Sequence, residues 1–553
     1  MTRHLLRFVS SAALLCSVAG VAQSPLKSAE DSVSPERIRA YDRFLSDDLL
    51  EGRYPGLRGG ELAAKYIATE FELLGLKPAG DNGTYFQAVS FVGMTAKPAE
   101  TSFTLTAKDG KTLPLQFGQD FVVSNQTLTP VSTLDAPIVF VGYGASAPEY
   151  DWDDYAGVDV KGKVILCIVG DPPSKDPKFF GGDALTYYGR WTYKFEQAAR
   201  KGAVGALIIH RTDLASYGWS VVEHSNAGER TFLRDDTNPR LKAASWIQLE
   251  VARKLFAMSG LDLDKEFDAA GKRGFKPVEL PVRLSATVSS AVRPFESPNV
   301  VGILPGTSKP DQAALYTAHY DHLGMDPKHP GDNIYNGAVD NGTGAAMLLE
   351  MAHAWVTLAK QAPLPHSVIF GAVTAEEQGL LGSEYLGQHP PVPAAQIALD
   401  INYDALMPLG IPQEVNVAGA ERTTFLPEVQ ATAKRFDLKI VPDPNPSAGD
   451  YYRSDHFSLS RVGIPAFSIS PGTLYEGHDH AWGEAKEKEY NDNHYHDFSD
   501  NFDPAWDFSG DAKMVRFGID LGWQVVHLPQ KVEWKKGDEF EAARLASEKA
   551  DKQ

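Results

Sequence analysis

The stretch "SVIFGAVTAEEQGLLGSEYL", Ser367 to Leu386, decides how the chain is read. An unbroken apolar run from Val368 to Val373 suits a strand buried on both faces, as in parallel sheets, and glycines then bracket the start of a helical pattern. Two adjacent acids, Glu376 and Glu377, stand where the strand gives way to the turn.

Outward from this stretch the pattern of strand, loop and helix repeats. It runs through "AALYTAHYDHLG" (Ala313–Gly324), "NGTGAAMLLEMAHAWVTLA", "IALDINYDALM" and "GIPAFSIS". This alternation predicts an α/β three-layer sandwich around a mostly parallel mixed sheet. In such sheets ligands bind beyond the carboxyl ends of the strands, so polar residues there are the first candidates for a site.

Several of those ends carry metal-type ligands. His319 and Asp321 end one strand, Asp340 lies in "GAVDNGTG" before a helix, Glu376 and Glu377 follow the opening strand, and Asp404 ends "IALDINYD". His496 lies downstream in "NDNHYHDFSD". Imidazoles and carboxylates without thiolates make a nitrogen and oxygen set that suits zinc, with manganese or cobalt as substitutes. Taken singly, each residue has a plainer role. Asp340 fits a helix cap, the glutamates fit a helix first turn, and His319 and Asp404 fit strand-end and turn residues.

Together the segments "HYDHLG", "GAVDNGTG", "TAEEQGLLGS", "NYDAL", "RSDHFSLSRVGIPAF" and "YHDFSD" resemble, in order, the secreted co-catalytic zinc exopeptidases that include bacterial leucyl aminopeptidases and glutamate carboxypeptidases. The resemblance implies two zinc ions. His319 and Asp404 would hold one, Glu377 and His496 the other, and Asp340 would bridge them. Glu376 would be the general base for a metal-bridging water, and Asp321 would orient the His319 imidazole. Two metals would acidify the water and polarise the carbonyl, so the glutamate doublet divides its labour between metal and proton.

The stretch "GHDHAWGEAKEKEYNDNHYHDFSD" also offers His478, His480 and His494 as the last ligand. His496 is preferred because Tyr495 and Asp500 reproduce the family pattern, although Asp497 and Phe498 depart from its usual Thr-Pro type continuation. A supporting role near His496 falls to Asp500. In "SAGDYYRSDHFSL", Tyr451 or Tyr452 is expected to donate a hydrogen bond to the oxyanion. Arg453 is a candidate for a substrate carboxylate, and His456 is expected in the substrate pocket.

The chain's 553 residues exceed one ordinary core. Residues 1–22, with Arg3, Arg7 and a short apolar stretch ending in small residues, read as a signal peptide cleaved after Ala22. Residues 23–100 carry two amphipathic helices and form the first part of the peptidase domain. Residues 101–295 change to short β-rich runs and resemble a protease-associated domain. That insert is expected to close at a proline-marked linker in "AVRPFESPN". The main peptidase part spans 296–530, and 531–553 reads as a charged, solvated tail.

With Cys16 inside the signal, Cys167 is alone in the mature chain, so no intramolecular disulfide forms. A net charge of −19 argues against nucleic acid and anionic membranes as partners, and no further apolar stretch would hold the mature chain in a bilayer. Peptide substrates, a periplasmic or extracellular location, and removal of N-terminal residues follow from the resemblance. Carboxypeptidase action is the related alternative, and a non-catalytic binding protein on the same fold is the alternative from another class.

Overall fold

A computed structural model describes residues 24–552, apart from Ser216. The expected signal peptide and Cys16 lie outside the described residues. Among the described residues no helix is long and apolar enough to cross a membrane.

The main sheet runs in the order 86–96, 278–304, 368–373, 313–319, 397–402, 466–471, 414–418 and 439–440. Its four central strands, 368–373 through 466–471, are mutually parallel, while the flanks include antiparallel neighbours. Side-chain alternation divides it into two cores. Ala314, Tyr316 and Ala318 face a large core with the helices Pro35–Leu45, Arg58–Leu74, Gly344–Ala359 and Ser509–Val525. Ala313 and Leu315 face a smaller one with Leu386 and Leu459 of the helices Leu381–Gln388 and His456–Arg461. The expected three-layer sandwich with a mostly parallel mixed sheet is therefore the architecture.

Both expected N-terminal helices are present. Ser34 caps the first with Pro35 in its first turn, and Gly75, at φ +83°, ends the second in the left-handed conformation that glycine adopts without strain.

A second sheet runs 121–124, 243–248, 205–210, 164–168, 131–140, 278–289, 102–107 and 112–115. It too is covered on both faces. Leu166 and Ile168 pack toward the helices Leu249–Met258 and Leu263–Ala270, and Ile165 and Cys167 toward Trp191–Arg200. Cys167 is a buried free thiol whose pKa burial pushes up to about 12, which suits an inert core residue.

The expected linker is instead strand. Val278–Leu304 runs for 27 residues through both sheets, paired along 290–300 with 96–86. Val301 donates its N–H to Tyr85, and Ser289 accepts from Lys97, so odd-numbered residues bond the partner strand here. Pro294 and Pro298 are even-numbered, and their missing donors fall on the opposite side, where no ladder bond is lost.

The tail also differs from expectation. Trp534 and Phe540 are buried with Tyr452 and Phe457, and Arg544 donates to the carbonyls of Ala394 and Ile397. Aromatic side chains outweigh the charged composition and dock this segment on the main body.

Candidate active site

His319 is the last residue of its strand and Asp404 lies two residues beyond Ile397–Asn402, so the parallel order 368–373, 313–319, 397–402 brings three strand ends together. Asp340 comes from the turn ahead of helix Gly344–Ala359. Gly337, at φ +57°, makes that turn possible: a Cβ there would lie 2.2 Å from the Asp340 carbonyl and 2.5 Å from the His322 ring. The Asp500 carboxylate accepts the N–H groups of Val339 and Asp340 at 3.0 and 3.1 Å, and the Tyr490 hydroxyl at 3.1 Å. Asp500 thus supports Asp340, not His496 as its place in the sequence suggested.

The predicted ligands converge. His319 Nε2 lies 3.2 Å from Asp404 Oδ1, 3.4 Å from Asp340 Oδ1 and 4.0 Å from Glu376 Oε2. His496 Nε2 lies 3.1 Å from both Asp340 Oδ2 and Glu377 Oε2. Asp340 therefore turns one oxygen to each histidine. The alternatives for the last ligand are engaged elsewhere: His494 bonds Ser499 and Glu489, His480 bonds Thr473, and His478 stacks on Trp482.

Hydrogen-bond arithmetic tests whether this set suits a cation. His319 Nδ1 is 3.2 Å from the main-chain carbonyl of Asp321, an acceptor only, so Nδ1 carries a proton; Nε2 faces the carboxylates, and against the effect of burial Asp404 and Glu376 hold the imidazole pKa well above its ordinary value. Acceptors then outnumber protons around both histidines. Divalent cations between these nitrogen and oxygen atoms satisfy the arrangement, and the all-nitrogen-and-oxygen donor set fits zinc.

The two glutamates differ electrostatically. Burial pushes the Glu376 pKa well above the ordinary range, and Glu377 adds to this against the pull of His319. Burial and Asp340 act the same way on Glu377, but His496 and the hydrogen bonds from His322 and His496 outweigh them and bring it to about 2. Glu376 therefore has the higher proton affinity of the pair, and Glu377 is the more persistent anion.

Asp321 is fully buried. Its carboxylate accepts the Glu376 N–H at 3.2 Å and stays 3.8 Å from His319 Nδ1. The imidazole is oriented by the Asp321 main chain rather than by the side chain.

His322 was not singled out from the sequence. Its Nδ1 lies 2.7 Å from Glu377 Oε1, its Nε2 is buried without a hydrogen-bond partner, and it groups with Asp340 and Glu377 as His319 groups with Glu376 and Asp404. Of the two histidines beside Glu377, His496 faces both Asp340 and Glu377 through one nitrogen, so His322 acts as the support of Glu377. The spacing His319, Asp321, His322 in "HYDHLG" was the available signal.

The pocket predictions divide. Tyr452 and Arg453 line a cavity of about 550 Å³ that also touches Glu376, Glu377 and His496, but the Tyr452 hydroxyl donates to Glu539 at 2.8 Å. Tyr451 and His456 do not line it. The Tyr451 hydroxyl bonds Ser460 and the Ala466 carbonyl, and His456 is fully buried against the Tyr451 ring, with burial holding its pKa near 3. Their segment turns inward to pack, so both are core residues. Tyr495 also lines the cavity, half-exposed, with its ring 3.9 Å from that of His496. Burial and then Asp340, Glu377 and Glu376 raise its pKa far above the ordinary value, keeping the phenol protonated.

Residues 299–515 match the family model of Peptidase family M28. A probable zinc metalloprotease of Pyrenophora teres f. teres is 34% identical over 125 residues, 22% of this chain and 24% of the relative. Leupeptin-inactivating enzyme 1 of Streptomyces exfoliatus is 32% identical over 197 residues, 33% of this chain and 41% of the relative. The chain thus spans about a quarter of the length of its fungal relatives. Among solved structures, an aminopeptidase from Aneurinibacillus sp. strain AM-1 aligns over 90% of this chain and 96% of its own, with TM-score 0.49 and 17% identity. Every ligand-type side chain described above lies within residues 299–515, the stretch that is similar to Peptidase family M28.

Proposed function

We propose that the protein is an exported zinc exopeptidase that removes N-terminal residues from peptides. The observation that carries this reading is Asp340, whose two oxygens face His319 and His496 from opposite sides. His319 and Asp404 would hold one zinc, Glu377 and His496 the other, with Asp340 shared. Bound there, the two ions would polarise the scissile carbonyl and lower the pKa of water.

The chain's own residues supply the rest. Glu376 takes the proton from the attacking water and returns it to the leaving amine. Asp321 fixes the Glu376 main chain, and Asp500 holds the turn that presents Asp340. Tyr495, rather than Tyr451 or Tyr452, donates to the developing oxyanion, because its phenol lines the cavity beside His496 and no protein acceptor engages it among the described residues. The second lobe, in the role of a protease-associated domain, walls the cavity and limits access to it.

The test is hydrolysis of free and N-acetylated forms of the same peptides by the purified mature chain, with chelator and zinc add-back. Stepwise cleavage of the free-amine forms alone, abolished by chelator and restored by zinc, is expected. Cleavage of acetylated peptides from the C-terminus would reassign the direction, and no metal-dependent cleavage of either would leave a binding role.

A further inference from the structure

The cavity beside Glu376 and His496 is closed on its far side by the second lobe, which contributes several arginines although the chain's net charge is −19. Some of the arginines at the cavity, from both lobes, are engaged. Arg461 lies 3.1 Å from Glu196 and 3.9 Å from Glu384, Arg200 lies 3.5 Å from Glu196, and Arg240 donates to the carbonyls of Leu233 and Gln126.

Arg190 and Arg230 are different. Neither guanidinium has an ion pair or side-chain hydrogen bond among the described residues, and Arg190 Nε is buried without a partner. Arg230 has the Trp191 ring 5.1 Å from its Cζ as a neighbour. Across the cavity Arg453 approaches Arg190 from the main body. It donates from Nε to the Ala448 carbonyl and lies 3.5 Å from Asp450. Burial, and next the charge of Arg453, bring the Arg190 pKa down to about 10.

Arg190 and Arg230 are half-buried, the Arg190 Nε donor lies buried without an acceptor at a cost in free energy, and arginine keeps its charge rather than shed it. Arg190 and Arg453, like charges from opposite lobes, repel one another unless an anion sits between them, and Arg230 lines the same cavity. The planar fork of each suits a carboxylate. The other side of the cavity is acidic, so a carboxylate on a substrate is driven away from Glu376 and Glu377 toward the arginines.

We propose that Arg190, Arg230 and Arg453 form a carboxylate subsite, so that the preferred substrates are short peptides with a carboxylate on the portion that leaves. The group recognised is either the C-terminal carboxylate of a dipeptide or tripeptide, or an acidic side chain next to the cleaved bond. This rests on the exopeptidase reading above.

Four substrates separate the possibilities: Leu-Ala, Leu-Ala-amide, Leu-Glu-amide and Leu-Gln-amide, each assayed for kcat/KM with the zinc-supplied full chain. A preference of about tenfold or more is expected within at least one pair, since a charge-assisted hydrogen bond supports a difference of that order. The first pair identifies a terminal carboxylate and the second a side-chain one. In Arg190→Gln and Arg453→Gln the favoured ratio is expected to fall to within about twofold of one. Misfolding cannot imitate this, because loss of active protein scales both members of a pair equally. Equal rates within both pairs of the wild-type chain would overturn the subsite and leave the exopeptidase reading intact. A preference unchanged in both variants would overturn the assignment to these arginines. No metal-dependent cleavage of any of the four would remove the exopeptidase reading and the subsite with it.

Discussion

The main-chain N–H of Glu376 donates to the carboxylate of Asp321 at 3.2 Å, so the acid two residues past His319 holds in place the glutamate proposed to transfer the proton. Asp321→Ala is expected to lower kcat by about 10- to 100-fold, the usual range for a residue that supports a metal site, with little change in KM. Asp321→Asn keeps an acceptor oxygen and is expected to recover part of the loss. Steady-state kinetics on all three forms decides it; equal kcat in the alanine variant and the wild type would refute the role.

Glu376 and Glu377 are expected to fail in different ways. Glu376→Gln retains bound zinc and loses about 10²- to 10⁴-fold in kcat, the range for a general base. Glu377→Gln loses zinc, because a fixed anion facing His496 is replaced by a neutral amide. Zinc content per chain, measured after dialysis, separates the two; identical metal contents would contradict the assignment.

Arg53 joins the N-terminal helices to the site. Buried, it donates to the carbonyls of Tyr320 at 2.7 Å, Leu45 at 2.6 Å, Asn336 and Gly337 at 2.8 Å. Arg53→Met strands these acceptors and is expected to destabilise the fold by roughly 3–5 kcal/mol. Zinc affinity should weaken with it, since Tyr320 and Gly337 adjoin ligand segments. Urea unfolding provides the check, and a shift within about 0.5 kcal/mol, as for an ordinary surface change, would be inconsistent with the clamp.

Asp511 introduces a pH dependence away from the ligands. Burial raises its pKa from 3.8 to about 7, and neither carboxyl oxygen has a hydrogen-bond partner. Because the folded value is the higher one, the folded chain binds the extra proton between these limits. This contribution therefore loses stability as pH rises from about 4 to 7 and is level above that. At roughly 1.4 kcal/mol per pH unit, Asp511→Asn should gain on the order of 2 kcal/mol relative to wild type between pH 5 and pH 8. Urea titrations at the two pH values test this; a constant difference between the proteins would exclude it.

The sequence was most informative where chemistry and chain order coincide. The apolar run before Glu376 indicated a buried parallel strand, and His319, Glu377 and Asp404 meet because parallel strands deliver their ends to one edge, where the turn ahead of Gly344–Ala359 adds Asp340. His496 was harder, since its stretch holds several histidines and only the path of the turn selects one. Tyr451 and His456 lie in a matching segment, yet a short turn points them into the core, a choice that residue types do not reveal. Pro294 and Pro298 suggested a break because proline lacks a donor, and only the register showed that the donor was not needed there. Arg190 and Arg230 were silent in the sequence, as their meaning depends on a lobe folding back across more than a hundred residues.

The 27-residue strand that threads both sheets determines how the two lobes can move. With 86–96 bonded along it, the joint is a braced two-stranded beam and not a pair of loose tethers. Bending it means breaking ladder bonds, so the joint resists change in the distance from His319 and Asp340 to the arginine wall. With the proposed subsite, a cleft of fixed span would work as a gauge: it would accept the peptide whose charged end arrives at the wall as its first bond arrives at Glu376, and so measure length as well as charge.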